Sequence, residues 1–332
     1  MYHPRLKGSH YDMGYHYGEI MISSGADMNE AISLTKSQKE FAEKALPVYD
    51  NYIPGLLDEV KGLAKGLKVP FDNMFAWLST MYGFGDIHGC TCFAFNDLEN
   101  TILCRNSDMY PELKKTSESV LYGADGKNKL LGNSTSFIQL EDGINEHGLA
   151  VGMNFLLTKK YKAGINTGFL VRALLENCKD TEEAIKFIKK VPLCSTQNII
   201  LADKSGSLAV VEASPEKTYV RRSNEYIIST NHFVSDEMKD EHANPEENWY
   251  YSKDRYGTCQ NALMQSGKDK DFAMKLAGGK FGFTCQYEEK INFDTLWSAV
   301  YHVNTLEIYR AEGNPSKTKY KEDTRLARIL FL

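Results

Sequence analysis

Two short stretches of this chain combine residue types that can do chemistry. Gly89-Cys90-Thr91-Cys92 offers a thiol directly after a glycine, and Arg105-Asn106-Ser107-Asp108 follows within twenty residues. A thiolate is a strong nucleophile, and an arginine beside a thiol favours that charged form. "CTCFAFN" and "TILCRNSD" are short half-alternating strands joined by "DLEN", a hairpin signal centred near Asn96–Thr101. Folding back at that turn brings Arg105 and Asp108 beside Cys90. Gly89 carries no side chain, so the backbone at the Gly89–Cys90 bond is free to take a strained conformation.

A nucleophilic thiol also needs a base. A thiol on the first residue of a chain has one in its own α-amino group, which titrates at about 7.7–8.0 when unperturbed. That arrangement requires the Gly89–Cys90 bond to be cut. The thiol itself can begin the cut by attacking the Gly89 carbonyl, with water finishing it through a thioester. The plain alternative is that Cys90 is a small buried hydrophobe, as free cysteines commonly are.

The rest of the chain must position these residues. It has 332 residues and a formal net charge of -5, with 42% hydrophobic and 25% charged residues. These values suit one large or two small globular domains with a sizeable core. There is no block of Lys and Arg of the kind that neutralises phosphates, which argues against a nucleic-acid surface. Seven cysteines at irregular spacing do not form a secreted disulfide framework. No signal segment opens the sequence and no run of 18 apolar residues spans a membrane, so the expected setting is a reducing cytoplasm.

Residues 1–89 read as helical, with "NEAISLTKSQKEFAEKAL", "LLDEVKGLAKGLKVP" and "FDNMFAWLSTMYGF" as three helices and Asp72 as the cap of the last. From Cys90 onward strands dominate. "TSFIQLEDGINEHGLAVGMNFLL" forms a second hairpin turning through Asn145–Gly148. Two helices follow, "FLVRALLENC" and "DTEEAIKFIKKVP", the second opened by Asp180 and Glu183 as a capping box. Strands return in "QNIILADKSGSLAVVEAS", "KTYVRRS" and "EYIISTN", then helix "RYGTCQNALMQ", then strands "LWSAVYHVN" and "LEIYRAE". This order predicts an α+β layered fold and not an alternating doubly wound one.

On these residues the chain resembles the N-terminal-nucleophile amidases of the choloylglycine hydrolase type. It is closer still to their self-cleaving relatives, the penicillin acyl-coenzyme A:isopenicillin N acyltransferase-like family. "GCTCFAF" with "RNSD" is similar to that family's Cys-Thr-Ser and Arg-x-x-Asp pattern, with Cys92 in place of the serine. "NEHGLAVGMNF", "STNHF" and "SKDRYGT" resemble the segments that carry functional residues, here Asn154, Asn231 and Arg255. "LKGSHYDMGYHYGE" resembles the opening of the self-cleaving members. The resemblance implies an αββα sandwich and cleavage into a leading segment (1–89) and a catalytic domain (90–332) that stay associated. It implies that Cys90 is the nucleophile, that Arg105 lowers its pKa and that Asp108 holds the freed amino group. Asn154 and Asn231 would donate to the oxyanion, and Arg255 would orient the site. The reaction so implied opens linear amide bonds of a small-molecule acyl amide and needs no metal or redox cofactor. Water or an amine would release the acyl group. Bile-salt amides, penicillin V, N-acyl amino acids and peptide-linked acyl groups all suit such a site, and a homo-oligomer is left open.

Each site residue has a plainer reading. Asn154 on a strand can pair with backbone, Asn231 can be a turn residue, and Arg255 can be a surface ion pair of little weight. Cys92, two residues on, shares the Cys90 face of the strand and suits a small core position. One rival activity is a papain-like cysteine hydrolase with His147 or His232 as base. Another is a metal or redox module of Cys90, Cys92, Cys104 and His88, whose spacing fits no ordinary zinc pattern. The acidic stretch 234–248, six acids against one lysine, is expected to form a rim or lid of the site and disfavour strongly anionic ligands.

Overall fold

The structure is a computed structural model and describes residues 1–83, 89–97, 100–244, 247–265 and 267–330. The chain opens with strand β1 (Arg5–Gly8) and helix α1 (His10–Ser23), capped by Ser9, whose Oγ accepts from the Asp12 amide. A short α2 (Met28–Ala31) precedes α3 (Lys36–Tyr52). The single polar helix expected there is broken because Thr35 and Gln38 form a reciprocal capping box that starts α3 afresh. Helices α4 (Pro54–Gly66) and α5 (Phe71–Thr80) follow. Asp72 does not cap α5. It lies in the first turn, Pro70 holds the cap position, and no side chain bonds there.

The opening glycines have a packing role. Gly14 and Gly18 sit one turn apart on α1, and Gly62 and Gly66 one turn apart on α4. A Cβ on Gly14 would fall 2.0 Å from the Glu59 carbonyl oxygen, and one on Gly62 2.0 Å from that of Tyr11. The two helix backbones therefore touch, as only glycine permits.

The strand-rich part comprises β2 (Gly89–Asn96), β3 (Thr101–Met109), β4 (Glu118–Ala124), β5 (Leu130–Ser134), β6 (Asp142–Asn145) and β7 (Ala150–Phe155). Helices α6 (Thr167–Asn177) and α7 (Thr181–Lys190) come next. Asp180 caps α7 through the Glu183 amide, but the Glu183 carboxylate bonds Lys179 N and not Asp180 N, so the capping box is half made. Then follow β8 (Gln197–Ala202), β9 (Leu208–Ala213), β10 (Thr218–Ser223), β11 (Tyr226–Ser229), α8 (Ser252–Leu263), α9 (Lys270–Ala277), β12 (Asp294–His302), β13 (Glu307–Ala311), β14 (Lys321–Glu322) and α10 (Arg325–Leu330).

Two sheets result. One has the order β1-β4-β5-β6-β7-β8-β9-β10, the other β11-β2-β3-β12-β13-β14. Pairing is antiparallel except for β1 on β4. The sheets pack face to face over a core that includes Cys92, Ala94, Leu103, Ile144, Ile200 and Trp297. Outside the larger sheet lie the leading helices with α6 and α7. Outside the smaller one α8 and α9 cover Phe93, Phe95, Ile102 and Cys104. This is the expected four-layer αββα sandwich.

Among the described residues, no helix is long and apolar enough to cross a membrane. The helical contact between α1 and α4 yields a test. Gly14→Ala should lower stability by about 1–3 kcal/mol, as overpacking does. Gly257→Ala, on α8 with open space around it, should be neutral or stabilising by about 0.5–1 kcal/mol. Thermal unfolding of the two variants separates them, and equal effects would contradict the close approach.

Candidate active site

The β2–β3 register sets the site. Gly89 pairs with Asp108, Cys90 with Ser107 and Cys92 with Arg105. Alternate residues of a strand face opposite ways, so Arg105 and Asp108, three apart, point to opposite faces. Arg105 points between the sheets with Cys90 and Cys92. Asp108 points outward with Thr91, toward α8.

Between the sheets, Arg105 Nη2 donates to Cys90 Sγ at 2.9 Å. The same guanidinium bonds Glu141 at 3.1 Å, Asp142 at 2.8 Å and the Met153 carbonyl at 2.9 Å. All of these side chains are fully buried. Asp142 also accepts from Asn133, Trp297 and Tyr301. Glu141 accepts from Ser107 and from Thr135. Gly152 leaves room for this cluster: a Cβ there would meet Arg105 Cδ at 3.3 Å.

The main chain of Cys90 is held as closely. Its carbonyl accepts from Asn154 Nδ2 at 3.1 Å and from Arg255 Nη1 at 2.6 Å. Ser229 Oγ donates to Asn154 Oδ1 at 2.6 Å, which turns the amide nitrogen toward Cys90. The Cys90 amide donates to Asn231 Oδ1 at 2.9 Å, and Arg255 Nη2 donates to the same oxygen at 2.8 Å. Asn231 Nδ2 donates to the Phe155 carbonyl, so here Asn231 serves as acceptor for the nitrogen and not as donor to an oxyanion. Asp108 accepts from Tyr287 at 2.8 Å and Thr295 at 2.6 Å, and lies 3.8 Å from Arg255. The Cys90 amide goes to Asn231, so Asp108 stands behind Arg255 in this arrangement.

Burial pushes the Cys90 thiol up to about 11. Arg105 pulls it down, while Glu141 and Asp108 push it further up. This corrects the expectation of a net lowering: the guanidinium is shared with two carboxylates in a desolvated site. Burial also lifts the Asp108 carboxyl to about 6, against the pull of Arg255. Cys92 shares the Cys90 face of β2 as its strand position requires, with Asn154 Nδ2 3.4 Å from its sulfur. Gly89 is not in a left-handed conformation. Its missing side chain makes room for the Phe293 ring, which a Cβ would meet at 2.8 Å. Phe293 stacks on Tyr250 at 3.9 Å and meets Tyr287 edge-on at 5.1 Å, which walls this side of the site with aromatic rings.

Of the six residues singled out in the sequence, Arg105, Asn154, Asn231 and Arg255 bond the sixth, Cys90, and Asp108 stands behind Arg255. A sequence profile of the family described as Acyl-coenzyme A:6-aminopenicillanic acid acyl-transferase matches residues 96–317. The chain belongs to this acyl-transferase family. Among solved structures it is similar to penicillin V acylase from Agrobacterium tumefaciens. That match has 16% identity and a TM-score of 0.52, over 71% of this chain and 87% of that one. It is also similar to a variant of conjugated bile acid hydrolase from Clostridium perfringens, with 13% identity and a TM-score of 0.49, over 70% and 96%. The first likeness extends to the fold. No curated protein sequence matches.

Among the described residues, neither candidate histidine hydrogen-bonds the Cys90 sulfur, which accepts from Arg105. His147 Nε2 bonds Asn128 on the turn at the far end of β7 from Asn154. His232 Nδ1 meets Ser252 and Thr230, and burial with the nearby Arg255 drives it down to about 4, leaving a weak base. Cys104 lies on the opposite sheet face from Cys90 and Cys92. His88 lies outside the described residues. Among those residues, His10, Glu59 and Glu176 have metal-ligand spacing, but Arg172 sits between the carboxylates at 3.1 and 2.7 Å and supplies the positive charge. The acidic stretch is anchored near the site by Met238, which packs with Phe233 and Leu156.

Sequence reasoning missed Glu141, Asp142, Tyr287 and Thr295. "Glu-Asp-Gly" at the start of the buried strand β6 was the available signal. The Phe293 contact gives a prediction: Gly89→Ala should disturb the Gly89–Cys90 bond and impair any self-processing. Adding Phe293→Ala should restore it in part. Intact mass of fresh protein reports the outcome, and an unchanged single variant would dismiss the steric role.

Proposed function

We propose that the chain is an amidohydrolase or acyltransferase that opens linear, non-peptide amide C–N bonds through an acyl-thioester on Cys90. The one observation that carries this reading is the convergence on Cys90: Arg105 on its sulfur, Asn154 and Arg255 on its carbonyl, Asn231 on its nitrogen.

The enzyme first cuts itself between Gly89 and Cys90. The Cys90 thiol loses its proton and the sulfur adds to the Gly89 carbonyl carbon. The Gly89–Cys90 C–N bond breaks and the nitrogen takes the proton, which leaves a thioester. Water adds to that carbonyl and the C–S bond breaks, giving a carboxylate on Gly89, a free thiol and an α-amino group on Cys90. Segments 1–89 and 90–332 remain together.

The new amine supplies what the buried thiol lacks. At about 11 the thiol is almost wholly protonated near pH 7, whereas an α-amino group titrates at about 7.7–8.0 unperturbed. The amine takes the thiol proton as the sulfur attacks a substrate carbonyl, then gives it to the leaving amine. Asn231 Oδ1 orients the amine, and Asp108 with Arg255 sets the charge around it. The amide of Asn154 donates to the oxyanion, joined by that of Asn231 if it turns from Phe155. Water or an incoming amine then takes the acyl group from sulfur.

Intact mass and amide hydrolysis test this directly. The native chain should yield two fragments parted at Gly89/Cys90 and release amine from an N-acyl amide. Cys90→Ala should stay whole and inert; cleavage and turnover in that variant would end the reading. Self-cleavage should accelerate up to about tenfold per pH unit from about pH 6 to pH 9, because the thiolate fraction rises that way below a high thiol pKa. Asn154→Ala should lower kcat by about 10²–10³-fold, the usual effect of one lost oxyanion donor.

A further inference from the structure

Gly89 is a glycine for a steric reason and not a conformational one. It lies within β2 and holds no left-handed angle, so its backbone alone does not call for glycine. Its surroundings do. A Cβ there would meet two carbons of the Phe293 ring at 2.8 and 2.9 Å and Asp108 Cβ at 3.3 Å.

The Phe293 ring is hemmed in and has little room to yield. Tyr250 stacks on it with the two planes 9° apart, and Tyr287 and Tyr110 meet it edge-on at 5.1 and 6.3 Å. Phe293 itself is buried. Tyr250 and Tyr251 hold φ at +42° and +57°, left-handed values that bulky residues rarely adopt. Backbone strain of this kind clusters at ligand sites. The Tyr250 carbonyl accepts from Arg255 Nε at 3.0 Å, which ties this segment to the residue that holds the Cys90 carbonyl.

The place of Gly89 is also the place of a reacting acyl group. Under the thioester reading, Gly89 is the first acyl group that the Cys90 sulfur takes, and a substrate supplies the next. Between the sheets the sulfur is met by Arg105, itself packed with Glu141 and Asp142, all fully buried. Cys90 is fully buried too in the uncut chain. Cutting gives the residue before Cys90 a free end, so the space for an incoming carbonyl is the space that Gly89 gives up.

We infer that Phe293 is a specificity-determining residue. The site takes acyl groups whose α-carbon, like that of Gly89, carries no branch toward the ring, and it excludes those branched in the L configuration. This rests on the thioester reading above. The α-carbon of an accepted group packs against Phe293 as that of Gly89 does. A methyl branch of L configuration takes the place of a Cβ on Gly89 and runs into the ring. A misfit of one carbon in an apolar pocket is worth about 10-fold to 200-fold in kcat/KM.

The test uses the full chain, its cleavage first checked by intact mass, and the p-nitrophenyl esters of benzyloxycarbonyl-glycine, benzyloxycarbonyl-L-alanine and benzyloxycarbonyl-D-alanine. Such esters acylate a thiol whatever amine the enzyme releases from its own substrate. The sulfur adds to the ester carbonyl carbon, the C–O bond breaks, and p-nitrophenol leaves with the thiol proton while the acyl group stays on sulfur. Each rate is divided by that of the same ester with free cysteine. Glycyl acylation should exceed L-alanyl acylation by about tenfold or more. Phe293→Ala should shrink that ratio by about fivefold or more and change the glycyl-to-D-alanyl ratio by less than about twofold, because a D branch points away from the ring. Phe293→Leu, which keeps apolar bulk without the flat ring, should shift the ratios in the same directions and serves where the alanine variant does not fold. Equal glycyl and L-alanyl rates in the native enzyme, or equal relief of both enantiomers, would overturn the inference and leave the thioester reading standing. No mass added to the 90–332 fragment by any of the esters would sink that reading and this inference together.

Discussion

The register of the β2–β3 hairpin is the constraint on which the rest depends. It sets Cys90 opposite Ser107, and strand alternation then divides the labour of the neighbouring residues. Arg105 reaches the sulfur from between the sheets. Asp108 lies on the outer face, where Arg255 arrives from α8. A cysteine at this strand end is thereby gripped twice, by its side chain from one face and by its main chain from the other. Slipping the pairing by one residue would turn every one of these groups to the wrong side. The apolar residues Phe93 and Phe95, packed under α8 and α9, resist that slip because they too would turn over.

The electrostatics follow from burial. Arg105, Glu141 and Asp142 are all out of water, and such ions persist only when paired and fully hydrogen-bonded. Asp142 meets that condition through Asn133, Trp297 and Tyr301, Glu141 through Ser107 and Thr135. The pairing draws the positive charge of Arg105 toward the carboxylates. The thiol rises chiefly because burial desolvates the thiolate; the pull of Arg105 does not offset that, and Glu141 and Asp108 push the same way as burial. A thiol so placed is mostly protonated near neutral pH, so the thioester reading proposed above requires a base beside it.

The local half of this design was legible in the sequence. Cys90, Arg105 and Asp108 lie within one hairpin, and the glycine-flanked turn at Asn145–Gly148 leads directly to Asn154. The layered α+β class also followed from the order of helical and strand patterns. What escaped was tertiary. Tyr287 and Thr295 reach Asp108 from 179 and 187 residues away, and nothing in their neighbourhoods marks them. Strands β4 and β5 are short and contain Gly123, Gly132 and Asn133, so their alternation is broken. Helix α9 is only eight residues long. Gly89 was assigned the wrong benefit: the sequence shows that a side chain is missing but cannot show the Phe293 ring that fills the space.

The leading segment is the clearest case of parts that are separate in sequence and joined in space. Strand β1 adds an edge to the larger sheet by pairing with β4. Arg172 on α6 bonds Glu59 on α4, and His10 on α1 bonds Glu176 on α6 at 3.1 Å, all of them buried. Tyr82 sends its hydroxyl to Ser136 at 2.6 Å, one residue from the Thr135 that holds Glu141. Every one of these contacts lies away from the Gly89–Cys90 bond. Severing that bond would remove one covalent link and none of them, while separation of the segments would leave Arg172, Glu59 and Glu176 without partners at a newly wetted face. Were that bond cut as proposed above, these buried contacts would favour a leading segment that stays in place as a structural layer.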